Sequence, residues 1–129
     1  MSHILFVEPD RQLANTYLHA ARTAGYTAQV CPTAQGAILC ADDATPDVVV
    51  LELQLVAHSG IEFLYEFRSY CDWQNIPVVV LSHVPPEEFT ESWELLRDHL
   101  KVSAYHYKPR TSLRTLLRTI GDVTAPQLV

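Results

Sequence analysis

Val48-Val49-Val50-Leu51 is the segment that most narrows what this chain can fold into. Four consecutive apolar residues, three of them β-branched, suit a strand covered on both faces, as in the middle of a parallel sheet. Ile4 to Val7, Thr27 to Val30, Ile76 to Leu81 and Val102 to Tyr107 are further short runs read as strands. Segments of helical period separate them. Leu13, Tyr17, Leu18 and Ala21 share one face, with Pro9 suited to a first helical turn and Gly25 to a stop. Pro32-Thr33 opens a short helix carrying Ala37, Ile38 and Ala41, and Ser59-Gly60 precedes one carrying Ile61, Phe63, Leu64 and Phe67. Pro85-Pro86 sets up an acidic fourth helix from Glu87 to about His99. Lys108-Pro109 leads into a fifth, with Leu113, Leu116, Leu117 and Ile120 on its apolar face.

Strands alternating with helices at this spacing predict βαβ units, and so an α/β fold with helices on both faces of a parallel sheet. In such sheets functional groups collect outside the carboxyl ends of the strands. A length of 129 residues suits one domain, read as 1–121, with 122–129 lacking periodicity and expected to be a tail or the start of a linker. No apolar run approaches the ~20 residues of a membrane span. The N-terminus has no basic region of a secretory signal, so a cytoplasmic setting is expected. The net charge of −6 argues against non-specific nucleic-acid binding, which needs a basic footprint. Cys31, Cys40 and Cys71 form no C-x-x-C pair and are expected to be reduced thiols. No G-x-G-x-x-G or P-loop sequence follows the first strand, so an enzyme built on nucleotide binding is not indicated.

The residues just past the strands are Glu8 and Asp10, then Glu52, then Ser82 and His83, then Lys108. Carboxylates, a hydroxyl and an ammonium converging on one sheet edge have the composition of a phosphate-handling or metal-assisted site. Taken singly, each is also what a helix cap or an ion pair would supply. A rival reading would make His83, His58 and Glu52 a transition-metal set, since imidazole suits such ions.

The combination resembles the receiver domain of two-component response regulators, over about residues 3–121. In that family the third strand ends in a phosphoacceptor Asp, followed eight positions later by a glycine. Here Glu52 is followed by Gly60 at that spacing. A Ser or Thr at the fourth strand end is matched by Ser82, a Lys-Pro after the fifth by Lys108-Pro109, and a switch aromatic three residues before the lysine by Tyr105. The resemblance implies a flavodoxin-like (βα)5 fold with a five-stranded parallel sheet of order 2-1-3-4-5. It also implies work in signal transduction through a protein partner, such as a histidine kinase or an output domain, with no enzyme activity of its own.

The departures bear on the chemistry. Glu52 stands where the family has Asp, and its extra methylene displaces the carboxylate by roughly a bond length, on the scale at which catalytic geometry fails. The family's adjacent pair of acids, the second a Mg²⁺ ligand, is here Glu8-Pro9, so Mg²⁺ binding is expected to be weak or absent. Val56 replaces the family's proline, and His83 stands where small residues are common. The expected behaviour is that of a pseudo-receiver in which Glu52 pairs with Lys108 and accepts a hydrogen bond from Ser82. The alternative is a functional phosphorelay receiver using Asp10 or Glu52 as acceptor or metal ligand. Acidic residues of the fourth helix and Arg110, Arg114 and Arg118, spaced to share one face, suggest a homodimer through the fourth and fifth helices. Trp93 could belong to the core or to such an interface.

Overall fold

The three central strands of the five are buried along almost their whole length, which requires helices on both faces of the sheet. The computed structural model describes residues 2–125. Strands β1 (His3–Val7), β2 (Thr27–Cys31), β3 (Val48–Leu51), β4 (Val78–Ser82) and β5 (Val102–Tyr107) form one parallel sheet of order β2-β1-β3-β4-β5. This is the expected flavodoxin-like order. Successive side chains of a strand point to opposite faces. Ile4, Phe6, Val48, Val50, Val79 and Leu81 therefore face α1 (Arg11–Thr23) and α4 (Leu113–Thr124), where they meet Tyr17, Ala21, Leu116 and Ile120. Leu5, Val7, Val49, Leu51, Val78 and Val80 face the other way, onto α2 (Ala34–Asp43) and α3 (Gly60–Ser69).

Each α-helix starts on a side-chain cap that satisfies a free backbone N–H of its first turn. Asp10 accepts from Leu13 N, Thr33 from Gly36 N, Ser59 from Glu62 N and Ser112 from Thr115 N. Pro9 accordingly precedes the cap and does not sit in the first turn. The last helix runs to Thr124, so Asp122 to Thr124, read from the sequence as tail, form its final turn. Residues 126–129 of the expected tail lie outside the described residues.

The expected fourth helix, Glu87 to His99, is corrected. A 3₁₀ turn at Pro86–Phe89 is followed by a π-helical turn at Leu95–His99. The cause is local. The Glu87 carbonyl accepts both the N–H and the hydroxyl of Thr90, a side-chain bond that competes with helix propagation. Glu87 and Glu91, four apart, would also repel along a regular helix. Leu100 N bonds the Leu95 carbonyl, a spacing that absorbs one extra residue while keeping Leu96 and Leu100 buried.

The sulfurs of Cys31 and Cys40 lie in contact, which the sequence reading of separate thiols did not anticipate. Their Cα atoms are 7.4 Å apart, wider than the ~4.4–6.8 Å that a disulfide spans, and Cys31 Sγ reaches the Gly36 carbonyl as a thiol donor does. Two adjacent thiols describe the pair best. Among the described residues, no helix is long and apolar enough to cross a membrane.

Candidate functional site at the strand ends

Parallel strands bring their carboxyl ends to one edge, and β1, β3 and β4 are neighbours there. Glu8 follows β1, Glu52 follows β3, Ser82 closes β4, and Lys108 follows β5. All four side chains meet. The Lys108 Nζ donates to Glu8 Oε1 and to Glu52 Oε1, each at 2.6 Å. The three side chains are 7 % (Lys108), 4 % (Glu8) and 3 % (Glu52) exposed, so the ion pairs lie out of water.

Both oxygens of Glu52 are taken. Oε2 accepts the hydroxyl of Ser82 and the backbone N–H of Gln54 at 3.1 Å. Oε1 accepts Lys108 and the backbone N–H of His83 at 3.2 Å, with the His83 ring Nδ1 at 3.4 Å. A carboxylate offers about four acceptor positions, and four strong donors fill them. Burial by itself pushes the Glu52 carboxyl up. The hydrogen bonds from Lys108, Ser82 and Gln54 outweigh it and hold the group below the usual carboxylate range.

The surrounding loops are fixed by the same groups. Ser82 Oγ also accepts from Val84 N at 3.1 Å. Tyr105 donates its hydroxyl to the Val84 carbonyl at 2.6 Å, and its ring packs against Phe89 and Trp93. Burial, with Glu52 nearby, pushes the Tyr105 phenol up to about 12, so it stays a donor. Trp93 is half-buried and forms part of an apolar groove with Pro86, Phe89 and Tyr105, of about 460 Å³.

Gly60 shows why a glycine follows the acid at this spacing. Its N–H donates to the Leu53 carbonyl at 2.8 Å. A Cβ there would stand 2.7 Å from Leu53 Cα and 2.9 Å from the Glu52 carbonyl oxygen. Only a residue without one lets the start of α3 press against the strand end.

Two sequence candidates stand apart from the cluster. Asp10 is exposed and spends its carboxylate on the α1 cap, linked to the site only by its N–H on Glu8 Oε2 at 3.1 Å. His58 pairs with Glu62 at 3.0 Å on the surface, away from Glu52. Among the described residues, no group of three His, Cys, Asp or Glu side chains is arranged to hold a metal ion. The backbone donors of Gln54 and His83 were missed in the sequence, because main-chain direction after a strand leaves no mark in residue type. Arg68 was also missed, and its signal is only a charge at a buried helical position.

Comparison with known proteins places this edge in context. No protein-family model matches the chain. The KDP operon transcriptional regulatory protein KdpE of Escherichia coli (strain K12) is 29 % identical over 132 residues, covering 98 % of this chain and 56 % of that protein. A sensor protein from Polaromonas sp. JS666 superposes with a TM-score of 0.85 at 19 % identity, covering 95 % of both chains. Vibrio cholerae chemotaxis protein CheY4 superposes at 0.83 and 22 % identity, covering 95 % of this chain and 98 % of that one. The chain has the CheY-like receiver fold. The sequence relative is a transcriptional regulatory protein, and the structural neighbours share the fold. The chain spans little more than half the length of the curated relative it matches along almost its full length.

Proposed function

We propose that this chain is a pseudo-receiver: a cytoplasmic module of two-component signalling that works by protein–protein contact and is not phosphorylated at the usual position. The observation that carries this reading is the state of Glu52. A phosphoacceptor attacks through a carboxylate oxygen and needs a free lone pair aimed at the donor. Both Glu52 oxygens instead accept hydrogen bonds, one of them from a buried ammonium. The His83 ring, half-exposed beside Oε1, stands on the approach side.

The contact surface on this reading is the fourth crossover with α4. Glu87, Glu88, Glu91 and Glu94 are all exposed around the Phe89–Trp93–Tyr105 groove. Arg114 and Arg118 are exposed on α4, whereas Arg110 sits in the 3₁₀ turn Lys108–Arg110 ahead of it, so the basic row on the helix is two residues and not three. An acidic face and a basic face on one chain suit a second copy or a signalling partner of complementary charge.

Incubation with a small acyl phosphate, read by intact mass, tests the proposal. The expected result is no adduct of about 80 Da, the mass of a phosphoryl group. An adduct that disappears in Glu52→Gln would establish the alternative, a working receiver using Glu52. One that survives that change and disappears in Asp10→Asn would place the acceptor on Asp10.

A further inference from the structure

We infer that Lys108 is a built-in cation which takes the place of a divalent metal at the strand ends, and that its ammonium is what closes the site to Mg²⁺-type ions. This deepens the pseudo-receiver reading and rests on it for the choice of ion. Three facts of the geometry carry it. The Nζ bridges the two buried carboxylates, 2.6 Å from an oxygen of each. A metal ion shared between Glu8 and Glu52 would have to stand between the same two oxygens, in the space the ammonium occupies. The position between Glu8 and Asp10 is Pro9, which brings no donor, and the Asp10 carboxylate is committed to Leu13 N. The remaining acceptor positions of Glu52 are filled by neutral donors from Ser82, Gln54 and His83.

Mg²⁺ demands near-octahedral oxygen ligation and gives up water reluctantly, whereas an ammonium needs only two or three acceptors and brings its own tether. The residues present therefore do not fit a divalent ion while Lys108 is in place. Buried as they are, Glu8 and Glu52 still require one positive charge between them to remain ionised. Removing the ammonium leaves two facing carboxylates, the usual protein contribution to a divalent site completed by water.

Mn²⁺ titration followed by the electron paramagnetic resonance of the free ion counts bound metal without relying on any activity. The wild type is expected to show no saturable binding in the millimolar range. Lys108→Met is expected to gain one saturable site, at least about tenfold tighter than any wild-type uptake, a change typical of altered metal surroundings. Glu8→Gln added to Lys108→Met should abolish it. Circular dichroism verifies folding, and Lys108→Gln, which can still bond one carboxylate, serves if the methionine variant does not fold. Saturable wild-type binding overturns the inference, and so does a folded Lys108 variant that binds no Mn²⁺. A phosphoryl adduct on the wild type would instead overturn the function proposed above. A wild type that neither binds Mn²⁺ nor takes up a phosphoryl group, together with a site gained in the Lys108 variant, supports both readings.

Discussion

Glu52 is the residue on which the chemistry of this chain turns. Its carboxyl is held below the usual range by donors that exist only in the folded chain, so it binds its proton more weakly folded than unfolded. The stability it contributes is present above the ordinary carboxylate value of about 4.3 and is lost as pH falls through the lower folded value. Urea midpoints measured down to about pH 3 should therefore fall steeply at the acid end for the wild type. Glu52→Gln should flatten that fall and cost about 1–3 kcal/mol at neutral pH, the scale of a disrupted buried hydrogen-bond set. Parallel acid limbs for the two proteins would mean that the ionisation of Glu52 is not coupled to folding. Glu8, Ser82 and Lys108 were legible as a cluster because each directly ends a strand, and strand order fixes which ends adjoin. How many donors each carboxylate oxygen receives was not legible, since that depends on side-chain rotamers and main-chain direction.

Among the elements, the fourth crossover departs most from its sequence pattern. Pro85-Pro86 followed by the acidic run from Glu87 suggested a continuous helix to about His99. Thr90 and the crowded glutamates break it into a 3₁₀ turn and a π turn, neither of which pairs its own backbone groups as completely as an α-helix. Arg68 makes good part of the shortfall. Buried on α3, it donates to the carbonyls of Leu100 at 2.8 Å, Lys101 at 3.1 Å and Trp73 at 2.7 Å. Among the described residues it has no carboxylate partner, and burial pulls its guanidinium down from its usual range. Lys101, in the left-handed region at φ 55°, closes the π turn where glycine is the common residue. Arg68→Met keeps most of the side-chain volume and leaves these carbonyls without a donor. It should cost about 2–4 kcal/mol, from two or more lost charge-assisted hydrogen bonds. Amide exchange should accelerate first in residues 95–101. A loss spread evenly over the sheet, or none, would show that Arg68 does not hold this crossover.

The whole molecule carries a net charge of −6 with its charges unevenly placed: exposed glutamates on the fourth crossover, exposed arginines on α4. If these faces meet across two copies, sedimentation should show a concentration-dependent dimer that weakens as salt rises past the ~10 Å screening length of 0.1 M. Arg114→Glu with Arg118→Glu should dissociate it without lowering the unfolding midpoint by more than about 0.5 kcal/mol, as for other surface changes. A monomer at every concentration would assign the acidic face to a different partner.

The sequence by itself determined the parallel sheet and its strand-end residues, because β-branched runs, turn residues and right-handed crossovers act over short stretches of chain, whereas the strand order came from the resemblance to receiver domains. Even the spacing from Glu52 to Gly60 is local, imposed by a backbone approach that no Cβ could enter. Tertiary structure alone decided that one ammonium would bridge two carboxylates, that both Glu52 oxygens would be filled, and that Arg68 would serve three carbonyls. Those outcomes join residues up to a hundred positions apart. They depend on distances of a few tenths of an ångström, on which residue pattern is silent.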